Sequence, residues 1–317
     1  MRAAFSDALV RLAKADPRVL LLTGDHGYAL FDEFRKQCPQ QYFNAGIAEQ
    51  NMVGMAAGLA KAGFIPFVYG LAAFIPIRVM EQIKLDIAHD KLHVVLLGDG
   101  AGFVYSHLGT SHQCTEDIAA TRVIPNLAVL SPADRFEQTM CMDWAYQANS
   151  AVYLRMGKAD RGDVHSEPAK AEFGKLLHLR EGTNGGVAFV ATGSMVKTAL
   201  GLANTHFTDA SVWSVPCIKP VDIDRIAQIC ESSAGVVTIE EHNTAGGLGS
   251  LVAEIAADRA PVRMLRIGVA DRFSEYCGTY EYLLTEHGLD AQSIQAKIHG
   301  FLCEINAKFK SNRTFRP

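Results

Sequence analysis

The chain has 317 residues, 49% of them hydrophobic and 20% charged, with a formal net charge of -4. That length suits two domains of roughly 150 residues each, and the composition excludes a disordered chain. The charge balance gives no electrostatic case for nucleic acid or a membrane surface.

Phe5, Ala8, Leu9 and Leu12 fall at helical spacing, and Pro17 predicts the end of that opening helix. Asp7 interrupts the segment, so it does not resemble a secretory leader. Val19 to Leu22 is a short apolar run, predicted as a buried strand, and it empties into Thr23-Gly24-Asp25-His26-Gly27. Open α/β sheets place ligands in such loops. The pattern then repeats. A small-residue helix is expected over Gly46 to Lys61, a strand over Ile65 to Tyr69 and a helix over Ile77 to Ala88. A strand over Leu92 to Leu97 leads into a long polar loop reaching Asp117. Strands at Asn126 to Leu130 and Ala151 to Leu154 flank a helix over Ala133 to Asn149.

The longest uncharged stretch, Ala62 to Ile77, holds two prolines and falls short of the ~20 residues a membrane helix needs. The polar stretch from about Lys158 to Lys170 lacks periodicity and is expected to join two domains. Beyond it, strands are expected at Val187 to Thr192, Val212 to Val215, Val236 to Glu240 and Val262 to Ile267, with a helix after Gly246-Gly247. The fold class is therefore α/β, with two doubly wound domains: 1–160, a linker at 161–175, and 176–317. Seven scattered cysteines without a CxxC pair fit reduced, cytoplasmic thiols.

The stretch from Gln37 to Val53 is uncharged except for Glu49, and Gly54 and Gly58 follow four apart. Small residues at that spacing let another backbone come close. A plain packed helix with a Glu at its positive dipole end would explain these features by themselves.

The full string FNAGIAEQNMVGMAAGLA, residues 43–60, resembles the pyrimidine-binding domain of transketolases and related thiamine diphosphate enzymes. The strings VAFVATGSMV, VPCIKPVD, VVTIEEHNTAGGLGS and IGVADRF resemble the family's C-terminal domain, so the likeness covers nearly the whole chain. It implies thiamine diphosphate as cofactor. Glu49 would be the carboxylate that hydrogen-bonds N1′ of the aminopyrimidine and so promotes loss of the thiazolium proton. Phe74 would stack on that ring, with Leu71, Ile77, Arg78 and Asp25 around it. The loop Gly109-Thr110-Ser111-His112-Gln113 resembles the family's GPTHQ loop, and Glu116-Asp117 continues the match. His112 would then contact substrate hydroxyls, with His26 as a second catalytic group and His107 and Asp25 as further substrate contacts. Arg2 and Arg155 resemble the family's phosphate-binding arginines.

The likeness also has departures. The family's phosphate-binding Ser and His fall at Ala29 and Gly100, and its Asp four residues before the loop His falls at Leu108. Gly98-Asp99-Gly100 imitates the family's metal-binding GDG turn, with Asn126 downstream, but aligns within the pyrimidine domain and is taken as a decoy. No metal ligands are expected in this chain. Magnesium and the cofactor's diphosphate are expected on a separate N-terminal partner subunit, in an α2β2 heterotetramer.

The expected activity is two-carbon ketol transfer from a phosphorylated or otherwise anionic ketose to an aldose. The alternatives are a decarboxylating subunit, resembling deoxyxylulose phosphate synthase or a 2-oxo acid dehydrogenase β chain, and a non-catalytic partner. Glu240-Glu241-His242 is expected to serve a domain or subunit interface.

Overall fold

The computed structural model describes residues 2–27, 29–158 and 161–313, with side chains through residue 305. The opening helix, Arg2–Ala15, buries Phe5, Ala8, Leu9 and Leu12 and stops before Asp16-Pro17. A residue preceding proline is driven out of helical geometry.

The first sheet has seven strands: β1 (Val19–Thr23), β2 (Tyr42–Asn44), β3 (Ile65–Leu71), β4 (Val95–Asp99), β5 (Leu127–Leu130), β6 (Ala151–Met156) and β10 (Cys217–Lys219). Their spatial order is β10-β5-β6-β4-β3-β1-β2. Every pairing is parallel except that of β10 with β5. Strands β1, β4, β5 and β6 are buried along their whole length. That is what helices on both faces of a parallel sheet require.

The second sheet comprises β7 (Leu177–Arg180), β8 (Val187–Ala191), β9 (Ser211–Ser214), β11 (Gly235–Asn243) and β12 (Met264–Val269), in the order β12-β11-β8-β9-β7. It is parallel apart from the edge strand β7. The α/β class read from the sequence is thus observed. No helix among the described residues is long and apolar enough to cross a membrane.

Three differences from the sequence reading have local causes. Strands β2 and β10 are only three residues long and carry no alternation to read. The expected helix over 77–88 is divided. A tight turn at Ile77–Val79 precedes Met80–Gln82, and Ile83–Ala88 winds as a π-helix. The strand expected from Leu92 starts at Val95.

Strand β10 also ties the domains together. It comes from the C-terminal part of the chain yet pairs with β5, Cys217 opposite Leu130. One continuous apolar cluster includes Leu22, Val68 and Leu96 of the first sheet and Val190, Val215 and Val252 of the second domain.

The Glu240-Glu241-His242 run lies in this joint. Each of the three residues is at most 1% exposed. Glu241 accepts from the Phe103 backbone at 2.7 Å and from the hydroxyls of Ser194 and Tyr280. His242 Nε2 accepts from Ala119 N–H at 3.2 Å, and its Nδ1 donates to the Asn243 carbonyl at 2.7 Å. Glu240 accepts from Leu248 and Gly249 N–H at the start of the Leu248–Arg259 helix.

Burial pushes Glu240 up to about 7 from 4.5, and pushes His242 down to about 4 from 6.5. Between 4.5 and 7 the folded chain keeps a proton on Glu240 that the unfolded chain has released, so lowering the pH there favours folding. Between 4 and 6.5 the unfolded chain protonates His242 while the folded chain does not, so lowering the pH there favours unfolding. The two effects offset one another where the windows overlap. Glu240→Gln removes the first and leaves the second. Its unfolding free energy is expected to drop, relative to wild type, by up to about 3 kcal/mol from pH 6.5 to pH 4. Urea titrations across that range check this, and parallel pH curves for the two proteins would refute it.

Candidate active site

The candidate site gathers at the carboxyl ends of β1, β3 and β4, where an open parallel sheet exposes its loops. Glu49 is the first residue of the Glu49–Lys61 helix, where the positive end of the helix dipole favours a carboxylate. It is 4% exposed. Its Oε2 accepts from Arg78 Nη1 at 3.0 Å, while its Oε1 is buried with no hydrogen-bond partner among the described residues. A buried carboxylate oxygen without a donor is costly, so this atom is suited to a donor the chain itself does not supply.

Arg78 also lies over the Phe74 ring, 4.1 Å from its centroid. Phe74 meets His112 edge-on at 5.4 Å and His26 at 6.3 Å. The structure therefore strings Glu49, Arg78, Phe74, His112 and His26 together, although they come from four separate segments. Ser111 Oγ lies 2.9 Å from His112 Nδ1 and braces that ring. Phe74, His26, His112 and Leu71 line a cavity of about 460 Å³.

The far side of the cavity holds a group that sequence reasoning missed. Asp99, at the end of β4, is 3% exposed. Its Oδ2 accepts from Tyr69 OH at 2.7 Å, Tyr105 OH at 2.9 Å and Arg2 Nη2 at 3.1 Å. Arg2 keeps 54% of its side chain exposed. The Asp99 charge raises the Arg2 pKa, and burial followed by Asp99 raises those of both tyrosines. Gly100 has φ +76°, and a Cβ there would overlap the Tyr105 ring, so the turn needs glycine. The Gly98-Asp99-Gly100 string is therefore an anchor for Arg2. The available signal was an aspartate ending a buried strand, which must find partners.

Other expected residues lie elsewhere. Asp25 is exposed at the rim in a left-handed conformation, φ 61°, and Asn44 Nδ2 donates to its Oδ1 at 3.3 Å. His107 is exposed on the Ser106–Leu108 turn, outside the cavity lining. Ile77 is half-buried on the turn that carries Arg78 and does not line the cavity.

Arg155 requires a correction. Its side chain is 2% exposed, and its Nε donates to both oxygens of Asp117, at 3.0 and 2.8 Å. Its Nη2 donates to the Glu241 carbonyl at 2.7 Å. It spans the joint between the two domains and is absent from the lining of the cavity that holds His26, Phe74 and His112.

Residues 1–162 match the family described as transketolase, pyrimidine binding domain, and residues 174–294 match transketolase, C-terminal domain. The chain is 33% identical over 298 residues to one subunit of the apulose-4-phosphate transketolase of Phocaeicola vulgatus, covering 92% of this chain and 94% of that one. It is 33% identical over 303 residues to a 6-deoxy-6-sulfo-D-fructose transketolase subunit of a Clostridium species, covering 94% and 93%. A solved split-gene transketolase, an inactive β4 tetramer, superimposes with a TM-score of 0.87 at 35% identity, covering 94% of this chain and 97% of that one. The chain belongs to the transketolase family, as the subunit that carries the pyrimidine-binding and C-terminal domains of a split enzyme.

Proposed function

We propose that this chain, joined to a diphosphate-binding N-terminal subunit, transfers a two-carbon ketol unit from an anionic ketose to an aldose. The observation that carries the proposal is Glu49 Oε1: a buried acceptor without a donor among the described residues, linked through Arg78 to the Phe74 ring that the two histidines meet. These residues fit the aminopyrimidine of thiamine diphosphate, a flat ring with donor groups at its edge. When bound, thiamine diphosphate supplies the acidic carbon that adds to the ketose carbonyl and stores its electron pair.

This chain's residues do the rest. Glu49 holds a proton at the pyrimidine edge, and Arg78 steadies the carboxylate. Phe74 offers a ring face, with Leu71 and Ile77 as its aliphatic flanks. His112 and His26, which line the cavity, take and return protons at substrate hydroxyls. Arg2, fixed by Asp99, meets the anionic end of the sugar.

The partner is inferred from an open helix face. Asn51, Gly54, Met55 and Gly58 are exposed on the Glu49–Lys61 helix, and Ile47 before it is 77% exposed. A Cβ added at Gly54 or Gly58 would meet nothing within 4 Å. That face can accept a second backbone closely, beside Glu49. Magnesium ligands would come from that subunit, in an α2β2 assembly. The inactivity stated for the related β4 tetramer supports a need for the second chain. The unpaired cysteines accord with a place in cytoplasmic carbohydrate metabolism.

The test is co-expression with the diphosphate-binding subunit, followed by assays with magnesium, thiamine diphosphate and a panel of donors. Anionic ketoses are expected to turn over with an aldose acceptor. Release of carbon dioxide from pyruvate, with no ketose turnover, would make the protein a decarboxylating subunit instead.

A further inference from the structure

The loop that carries His107 and His112 is closed at its neck by paired backbone hydrogen bonds between Gly102 and Cys114, at 2.7 and 2.9 Å. Both ends of the loop rest on the C-terminal domain. At one end, the Phe103 ring stacks on His287, centroids 4.7 Å apart and planes 20° apart. At the other end, Gln113 is 8% exposed and its Oε1 accepts from Ser274 Oγ at 2.8 Å. Ser274 Oγ also lies 2.9 Å from His287 Nε2.

A serine hydroxyl has one proton to give, and an amide oxygen can only accept. The Ser274 proton therefore goes to Gln113, and His287 Nε2–H donates to Ser274. One imidazole thus holds both ends of the loop, by its face at Phe103 and by its edge through Ser274. His287 Nδ1 is buried with no partner among the described residues, so a second ring proton would find no acceptor. Burial correspondingly lowers the His287 pKa.

We propose that Ser274 and His287 are positioning residues for His112, so that the C-terminal domain sets substrate geometry in a site otherwise built by the first domain. The proposal rests on the reading that His112 contacts the ketose. Gln113 adjoins His112 in the chain, so a shift of its amide moves the imidazole. Misplacement by 1 Å is enough to lose about a hundredfold in rate.

The test uses the assembled two-subunit enzyme. Ser274→Ala is expected to lower kcat/KM for the ketose about five- to tenfold. Thermal midpoint and thiamine diphosphate affinity should stay at wild-type values. Ser274→Thr, which keeps the hydroxyl, should recover most of the loss. In a His112→Ala background, Ser274→Ala should add less than about twofold, because both act through one group.

Independent, multiplying effects of the two substitutions would overturn the positioning role. So would a parallel fall in kcat, cofactor affinity and thermal midpoint, which marks general loosening. An assembled enzyme that turns over no ketose overturns the transketolase reading and the positioning role with it. Ketose turnover with multiplying effects overturns the positioning role alone.

Discussion

Glu49→Gln is expected to lower kcat of the assembled enzyme by about 10²- to 10⁴-fold, the range a positioned proton-transfer group contributes. That corresponds to about 3 to 5 kcal/mol of barrier. The substitution keeps the side chain's length and shape, so Phe74, His112 and His26 need not move. It removes the charge that holds a proton at the pyrimidine edge, and it removes the formal partner of Arg78. Stability should respond in the opposite sense. In the isolated chain, Glu49 Oε1 is a buried oxygen with no partner among the described residues. Neutralising it relieves desolvation without breaking a bond to Oε1. The thermal midpoint of the isolated subunit is therefore expected to be unchanged or higher, the signature of a residue kept for function. Steady-state kinetics of the complex and a melting curve of the subunit decide the matter together. A variant within threefold of wild-type kcat would remove Glu49 from the chemistry.

The parts of the fold that were legible in the sequence are those whose signal is local. Val19 to Leu22 and Ala151 to Leu154 are apolar runs because both sheet faces are covered, and each became a strand. Glu49 stands out locally as a lone charge in a long uncharged stretch, but a packed helix explains that pattern equally well, and its proposed role comes from the family likeness of residues 43–60. What escaped depends on partners distant in the chain. Asp99 binds Arg2, Tyr69 and Tyr105, which lie 97, 30 and 6 positions away. Nothing in a GDG string distinguishes an anchor for an arginine from a metal turn. Arg155 shows the same limit. An arginine at the end of a buried strand looks alike whether it faces a cavity or a domain joint. Only the fold brings Asp117 and the Glu241 carbonyl against it. Strand β10 is three residues of a linker-like string, and β5 alone makes it a strand.

Asp117→Asn is expected to destabilise the chain by about 3 to 5 kcal/mol, because it leaves a fully buried guanidinium without its counter-charge. Asp117 is 0% exposed, accepts from Arg155 through both oxygens, and accepts from Tyr153 OH at 2.7 Å. Burial works against the Arg155 charge, and Asp117 together with Tyr153, Cys114 and Glu241 outweighs it, so its pKa ends above the ordinary value. Burial, and then Asp117, likewise raise that of Tyr153. Arg155→Met should destabilise to a similar extent, since it strands the carboxylate instead.

The double variant should lose clearly less than the sum of the two, because neither charge is then left alone. The effect should also reach both domains. Arg155 ends a strand of the first sheet and donates to a carbonyl of β11 in the second, and the apolar core runs through the joint. Trp144 packs in the first domain, and Trp213 lies on β9 of the second. Denaturant titrations followed by single-tryptophan variants should therefore show both signals moving to lower midpoint together. A loss under about 1 kcal/mol, the scale of an exposed pair, would mean that this buried pair does not hold the domains. Movement of the Trp144 signal alone would confine the pair's role to the first sheet.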